Sequence, residues 1–261
     1  MSVLTLLTDF GTQDGFIGVM KGVIWDICPE VKIADISHEI KPQNVMQAAL
    51  TLSRVAPYFG DETVHVAVVD PGVGTQRRAM AAKIGDQFYV APDNGLLTLL
   101  IEDAEEKHLP IKLVELNNPD YWLHDITSTF HGRDIFSPVG AHLAAGIPLD
   151  ELGTTIDNPV RLEFPQPIKT TQGWEARITL IDHFGNLRTN LLADELEENL
   201  KIRVLEHEIN EIVKSYGRRP TGDLIALADS GGYLEVAIVN GSAEKKLGVK
   251  VGDLVEVILN G

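Results

Sequence analysis

A chain of 261 residues, 44% of them hydrophobic and 23% charged, has room for one large domain or two modest ones, and its composition excludes wholesale disorder. Its single cysteine rules out an intramolecular disulfide and a cysteine-cluster zinc site, and a formal charge of −16 has the wrong sign for duplex DNA or an anionic membrane. A cationic small molecule stays compatible with that charge.

The first residues, Met1–Asp9, carry no positive flank and no small-residue cleavage site, so they read as a strand rather than a signal peptide. No stretch approaches the roughly 18 uninterrupted apolar residues of a membrane span. No membrane and no nucleic acid are therefore expected as partners, and a cytoplasmic location is the expectation.

In chain order, Val3–Thr8 predicts a strand and Phe16–Cys28 a helix that stops before Pro29. Val31–Ile36 predicts a second strand, Val45–Tyr58 an amphipathic helix, and Val64–Val69 a third, β-branched strand. This alternation predicts a parallel sheet flanked by helices. Ala79–Lys83 and Phe88–Ala91 form a hairpin pattern around Gly85-Asp86, and Gly95–Ile101 and Asp134–Ala145 have helical spacing. The texture changes at Phe164-Pro165-Gln166-Pro167. Beyond it, Glu175–Ile181, Asp223–Ala228, Tyr233–Val239 and Asp253–Leu259 predict short strands, with one acidic, weakly helical stretch at Ala193–Leu200. The expectation is thus an α/β fold in two domains: residues 1–165 with a mostly parallel sheet, a linker at 166–173, and a smaller, mostly β domain at 174–261.

Three acids follow buried-strand patterns: Asp9, Asp35 and Asp70. The carboxyl ends of parallel strands are where open α/β sheets bind ligands. Asp35 has the plain reading of a turn-forming strand terminator. Asp9-Phe10-Gly11 and Asp70-Pro71-Gly72-Val73-Gly74 differ, because glycine lets backbone approach a ligand closely, and a carboxylate beside such a loop suits the two hydroxyls of a ribose. The loop after Asp70 is not a phosphate cradle, since it lacks the Gly-Lys-Ser/Thr ending. Arg77 and Arg78 follow it, and either could fold back onto Asp70 as an ion pair; a solvated surface position is the plainer reading, above all for Arg78. His131 stands apart from the other histidines by its setting, Phe130-His131-Gly132-Arg133-Asp134, at a predicted helix start. Nothing has the spacing of a zinc-binding histidine pair. In the second domain, Asp182-His183-Phe184-Gly185-Asn186 and Asp229-Ser230-Gly231-Gly232-Tyr233 are polar turns between strands. Asn186 either satisfies its own turn or offers its amide to a nucleobase edge.

In order along the chain stand Thr8-Asp9-Phe10-Gly11, Ile27-Cys28-Pro29, Val69-Asp70-Pro71-Gly72-Val73-Gly74-Thr75 and Ala91-Pro92-Asp93-Asn94-Gly95-Leu96-Leu97. Phe130-His131-Gly132-Arg133-Asp134, Asp182-His183-Phe184-Gly185-Asn186 and Ser230-Gly231-Gly232-Tyr233 complete the set. Together they resemble the S-adenosylmethionine hydroxide adenosyltransferases, the hydrolase relatives of the fluorinases and chlorinases. The resemblance covers essentially the whole chain. It implies cleavage of S-adenosylmethionine by water to adenosine and methionine, a β-barrel-like C-terminal domain, and a homotrimer with active sites between subunits. It also implies an activating trio of Asp70, Arg77 and His131, a ribose-binding Asp9, and adenine and amino-acid contacts at Asp182, Asn186, Ser230 and the strand around Glu235–Val239, with Glu235 and Val239 at its ends.

The chemistry agrees. A sulfonium is already a good leaving group, so neither a cofactor nor a metal is expected, and the work left is to hold a water in line with the sulfur–C5′ bond. Asp70 would orient that water or act as its base, Arg77 would tune Asp70, and His131 would fix the water's other side or share its proton. In the halide-using branch the resemblance implies small or hydroxyl-bearing groups in place of this trio, a serine where Gly132 stands, and a stacking tryptophan where Gln43 stands. A carboxylate at the nucleophile site repels a halide, so water is the favoured nucleophile. The alternatives are a halogenase, a binding protein for S-adenosylmethionine or adenosine without turnover, and a metal-dependent hydrolase built on Asp9, Asp70 and His131.

Overall fold

Strands buried on both faces decide the layers of the N-terminal half. In the computed structural model, which describes residues 2–196 and 200–259, the chain divides into two units, the first ending at Leu162 and the second opening at Glu163. The first unit begins β1 (Val3–Thr8), α1 (Phe16–Ile27), β2 (Lys32–Ser37), α2 (Val45–Val55), β3 (Val64–Val68). It continues β4 (Ala79–Ile84), β5 (Gln87–Pro92), α3 (Thr98–Glu106), β6 (Ile111–Leu116), α4 (Ser137–Ala144) and β7 (Gly153–Ile156). The strands form one sheet in the order β2-β1-β3-β5-β4-β6-β7. Pairs β1–β2, β1–β3 and β3–β5 are parallel, while β4 and β7 run against their neighbours, so the sheet is parallel in its main part with an antiparallel margin.

Strand side chains point alternately to opposite faces. Leu4, Leu6, Val64, Val66 and Val68 therefore pack with Met20 and Ile24 of α1 and Val139 and Leu143 of α4. Leu7, Ala67, Val69, Met80 and Ala82 pack on the other face with Ala48 and Leu52 of α2 and Leu100 and Ile101 of α3. Helix α2 is opened by Asn44, whose side chain accepts from the Gln47 N–H at 2.9 Å. The tail expected as its last turn, Ala56–Tyr58, tightens to a 3-10 turn around Pro57. Helix α3 starts at Thr98 rather than Gly95, because Gly95 takes the left-handed region (φ 93°) with Leu162 against it.

The second unit is β8 (Ile168–Thr170), β9 (Gly173–Ile181), β10 (Leu187–Leu192), β11 (Leu200–Val204), β12 (His207–Ile209), β13 (Leu224–Ala228), β14 (Tyr233–Ile238), α5 (Ala243–Leu247) and β15 (Leu254–Leu259). Its order is β12-β11-β15-β9-β10-β14-β13 with β8 added to β9, and every named pair is antiparallel. A bridge between Ile212 and Ala226 brings the segment after β12 to β13, so the sheet nearly closes on itself around Ile178, Leu187, Ile202, Val236 and Val257. Residues 166–173, expected as a linker, hold β8 and its turn into β9, since Ile168 and Lys169 pair with Glu175 and Trp174. The stretch expected as a weak helix, Ala193–Leu200, contains a 3-10 turn over Ala193–Glu195, and Leu200 opens β11; residues 197–199 lie outside the described residues.

A buried histidine sits in the first unit's core. His65, on β3, is 1% exposed, with Nδ1 2.7 Å from Thr5 Oγ1 and its ring stacked on Tyr89. Burial disfavours the imidazolium and pushes its pKa down from 6.5 to about 4. The unfolded chain therefore takes up a proton between those values that the folded chain refuses. Stability is full above pH 6.5 and falls by roughly 3 kcal/mol as the pH drops to about 4. Denaturant titrations across that range should show this slope, and His65→Gln should flatten it while lowering stability at neutral pH.

Candidate active site

Parallel strands β1 and β3 lie side by side, with β2 on the far side of β1, so the chain leaves the carboxyl ends of β1 and β3 at a topological switch. Asp9 immediately follows β1 and Asp70 follows β3 by two residues. Asp35 differs from its expected role: β2 runs on to Ser37, Asp35 stands opposite Leu6, and its carboxylate takes Lys21 Nζ at 2.6 Å and lies 3.2 Å from His38 Nε2.

The loop after Asp70 is two consecutive tight turns, in which Val73 N–H bonds the Asp70 carbonyl and Thr75 N–H and Oγ1 bond the Gly72 carbonyl. That path returns Arg77 to the start. Its Nε donates to Asp70 Oδ1 at 3.1 Å and its Nη2 to Asp70 Oδ2 at 2.5 Å, with the two side chains only 8% and 5% exposed. The structure thereby chooses between the two arginines. Arg78 is no solvated surface residue either. It donates to Asp93 Oδ2 at 2.8 Å and to Asn158 Oδ1 and the Asn158 carbonyl, tying residues 158–160 to the β4–β5 hairpin.

His131 completes a cluster, its Nδ1 lying 3.1 Å from Arg77 Nη2. A guanidinium only donates, so Nδ1 is the acceptor and the neutral ring carries its proton on Nε2. Burial and the neighbouring Arg77 charge lower the pKa of His131 below the ordinary imidazole value, against the opposing pull of Asp70, Asp134 and the Thr127 backbone. The ring is therefore neutral at neutral pH. After His131 the chain makes a π-helical turn over Gly132–Phe136, closed by Ser137, whose Oγ donates to the Gly132 carbonyl at 2.7 Å. Such turns widen a helix and re-aim the side chains on it. This one sits in the segment expected to be plain helix, and it seats Phe136 beneath the Arg77 guanidinium, 5.3 Å from the ring centroid.

Phe10, Phe16 and Phe130 form a mutual edge-on cluster with centroids 5.2–6.0 Å apart. Gly132 backs onto it: a Cβ there would lie 3.2 Å from the rings of both Phe10 and Phe130. Asp9 accepts the Gln43 N–H on Oδ2 at 2.7 Å, while Oδ1 has no hydrogen-bond partner among the described residues. Among those residues, no three His, Cys, Asp or Glu side chains converge as a metal site.

In the second unit the polar turns are built by their aspartates. Asp182 accepts from Phe184 N–H and Asn186 N–H on Oδ1 and from Asn186 Nδ2 on Oδ2, at 2.8–3.0 Å. Asn186 is buried and thus spends one amide hydrogen on Asp182. Asp229 accepts from Gly231 and Tyr233 N–H groups and lies 3.2 Å from Arg188 Nε, leaving Ser230 exposed at the tip. Glu235 is buried across from Arg188 in the β10–β14 ladder and accepts the Tyr216 hydroxyl at 2.7 Å, which helps burial push that phenol's pKa upward. Val239 is buried among Ile225, Leu227 and Ala237, and both its N–H and its carbonyl bond the 222–223 turn. Sequence reasoning quoted Asp134 and Asp229 only as parts of their local settings and passed over Thr127 and Arg188. Of these, Asp134 had a signal in its place three residues after His131.

The first unit is a parallel-sheet α/β domain with a paired Asp–Arg–His cluster at its switch point, and the second is a small antiparallel barrel-like domain. The chain belongs to the S-adenosylmethionine hydroxide adenosyltransferase family: the family's N-terminal domain matches residues 4–153 and its C-terminal domain residues 176–256. It is similar to the (R)-S-adenosyl-L-methionine hydrolase of Salinispora arenicola, 36% identical over 97% of both chains. A fluorinase of an Actinoplanes species is 30% identical over 90% of both. The crystal structure of an uncharacterized conserved protein from Thermotoga maritima superposes with a TM-score of 0.89 at 37% identity, covering 97% of this chain and 99% of that one.

Gly74 joins the two loops of the cluster. Its φ of +73° is left-handed, and a Cβ there would stand 2.2 Å from the Ser128 carbonyl oxygen. Gly74→Ala should cost about 2 kcal/mol in chemical denaturation, from left-handed strain and the forced parting of the loops.

Proposed function

We propose that this protein hydrolyses S-adenosyl-L-methionine to adenosine and L-methionine. A water oxygen forms the new bond to C5′, the C5′–sulfur bond breaks with its electron pair going to sulfur, and the water loses a proton to solvent through the cluster. The observation that carries the reading is the Arg77 fork on Asp70 with His131 against the same guanidinium. Asp70 orients the water as an acceptor, and Arg77 holds the carboxylate in one geometry. His131, neutral and held against the same guanidinium, can help place the water from a second side. Because the sulfonium leaves without protonation, positioning and charge placement supply most of what the step needs.

Asp9, with Oδ1 uncommitted beside Gly11, suits the ribose hydroxyls. Asp182, Asn186, Ser230, Glu235 and Val239 remain the proposed contacts to adenine and the amino acid, Ser230 from an exposed turn tip and Asn186, Glu235 and Val239 from buried positions. The names of the hydrolase relatives specify the (R) sulfonium, and we carry that preference over to this chain. A homotrimer, a cytoplasmic location and turnover without a metal or cofactor complete the reading; no helix among the described residues is long and apolar enough to cross a membrane.

The halogenase alternative is disfavoured by the Asp70 carboxylate, which would repel a halide at the nucleophile site. A Cβ at 132 would stand 3.2 Å from the Phe10 and Phe130 rings, a contact that a small ring shift relieves.

In ¹⁸O-water, S-adenosylmethionine should yield adenosine labelled at the 5′-hydroxyl, and turnover should survive strong chelation. Tight calorimetric binding with intact ligand after long incubation would instead establish a binding protein. Asp70→Asn should lower kcat by about 100-fold or more with a small change in KM, since an oriented acceptor matters most in the transition state. The acid limb of the rate profile should fall below pH 6.5, because His131 holds its proton less tightly than free imidazole.

A further inference from the structure

The loop that ends in His131 is irregular and mostly exposed from 124 to 129, yet it must hold an imidazole to within hydrogen-bond distance of Arg77. What holds it is a carboxylate with no exposure at all. Asp134 Oδ2 accepts both the Thr127 N–H at 2.8 Å and the Thr127 hydroxyl at 2.7 Å, while Oδ1 accepts Arg133 Nε at 2.6 Å. The Asp134 carbonyl takes the Leu123 N–H, and its own N–H bonds the Phe130 carbonyl. Both ends of the loop therefore converge on this one residue. The Thr127 hydroxyl also takes the Phe130 N–H, and the Thr127 backbone raises the His131 pKa. One residue on, the Ser128 carbonyl is the surface against which Gly74 of the Asp70–Arg77 loop rests.

We propose that Asp134 is a positioning residue for the hydrolytic cluster: through Thr127 it fixes the 123–131 loop and so sets His131 against Arg77 and Asp70. The inference rests on the proposed hydrolysis for its kinetic consequence but not for its geometric one. Arg133 balances the buried charge locally, and the hydrogen bonds from Arg133 and Thr127 outweigh burial to keep the Asp134 pKa below the ordinary carboxylate range. An ionised group that accepts from three donors cannot be replaced by an amide, which must turn an N–H toward one of them.

The test is Asp134→Asn, with Thr127→Val removing only the hydroxyl and Thr127→Ser restoring it. In Asp134→Asn, kcat should fall 10- to 100-fold with KM within about threefold; Thr127→Val should lose several-fold and Thr127→Ser should recover. Independently of turnover, the His131 ring is followed by NMR in ¹⁵N-histidine-labelled protein, its signal assigned with His131→Gln. The charges facing that ring are Asp70 and Arg77 from one loop and Asp134 from its own segment. Loss of the Asp134 charge should move the His131 titration to lower pH, a shift a purely structural role would not produce. An unmoved His131 titration in a folded Asp134→Asn protein, or kcat unchanged in an active background, overturns the proposal. Should Asp134→Asn not fold, an unchanged kcat and unchanged His131 signals in Thr127→Val overturn it. An inactive wild type would sink the hydrolase reading alone, since the NMR result still decides this one.

Discussion

The Asp70–Arg77 pair is the constraint around which the first unit's chemistry is arranged. Two opposite charges almost wholly removed from water lose several kcal/mol of hydration each, and only good geometry returns it. Here the return comes from a bidentate fork, from Phe136 under the guanidinium, and from a loop that leads the arginine back over seven residues. The pair is self-compensating, so it can sit at the end of a buried strand without leaving an isolated charge. The fork takes Nε–H and one hydrogen of Nη2, leaving the second Nη2 hydrogen for His131 Nδ1, so the ring's own proton is left to the other nitrogen.

The elements that carry these side chains are loops, and loops are poorly ordered unless something binds their backbone groups. In this protein the binding is done by short polar side chains acting over a few residues. Thr8 Oγ1 takes the Phe10 N–H while Nδ1 of buried His38 sits on the same hydroxyl, and the His38 carbonyl takes the Gly11 N–H. That network reaches out to Asp35 and Lys21, so the residue read as a strand terminator acts as the outer anchor of the turn after Asp9. Asp134 plays the corresponding part for the histidine loop. Rigid sheet ends plus stapled loops give a preorganised site.

How much of this was legible follows from the range of each interaction. Val3–Thr8 and Val64–Val69 were readable because a buried parallel strand is a continuous apolar run, and the hairpin at Gly85-Asp86 because its turn chemistry is local. Strands β6 and β7 were missed, since Ile111–Leu116 mixes lysine and glutamate into a margin strand and Gly153–Ile156 is only four residues long. Asp70 and His131 were found from local setting, but the choice of Arg77 over Arg78 rested on resemblance. Physically it depends on a loop path: Arg77 turns back to Asp70, whereas Arg78, one residue on, faces Asp93 and Asn158. The π-helical turn at Gly132–Phe136 left no readable signal, because its one extra residue per turn is stabilised by packing and by the Ser137 hydroxyl rather than by composition.

The net charge of −16 invites the view that acidity draws in a sulfonium, but the local pairing narrows that argument. Asp70 is matched by Arg77, Asp134 by Arg133 and Asp229 by Arg188, so these carboxylates exert little unbalanced field. Asp182 is turned onto three N–H groups of its own turn. Asp9 is different: it faces a backbone N–H rather than a cation and keeps one oxygen uncommitted. At the switch point between β1 and β3, one carboxylate is therefore matched by an arginine while its neighbour faces no cation among the described residues. In the proposed reaction that asymmetry would let two aspartates at neighbouring strand ends serve different purposes, one aiming the water and the other facing the ribose hydroxyls.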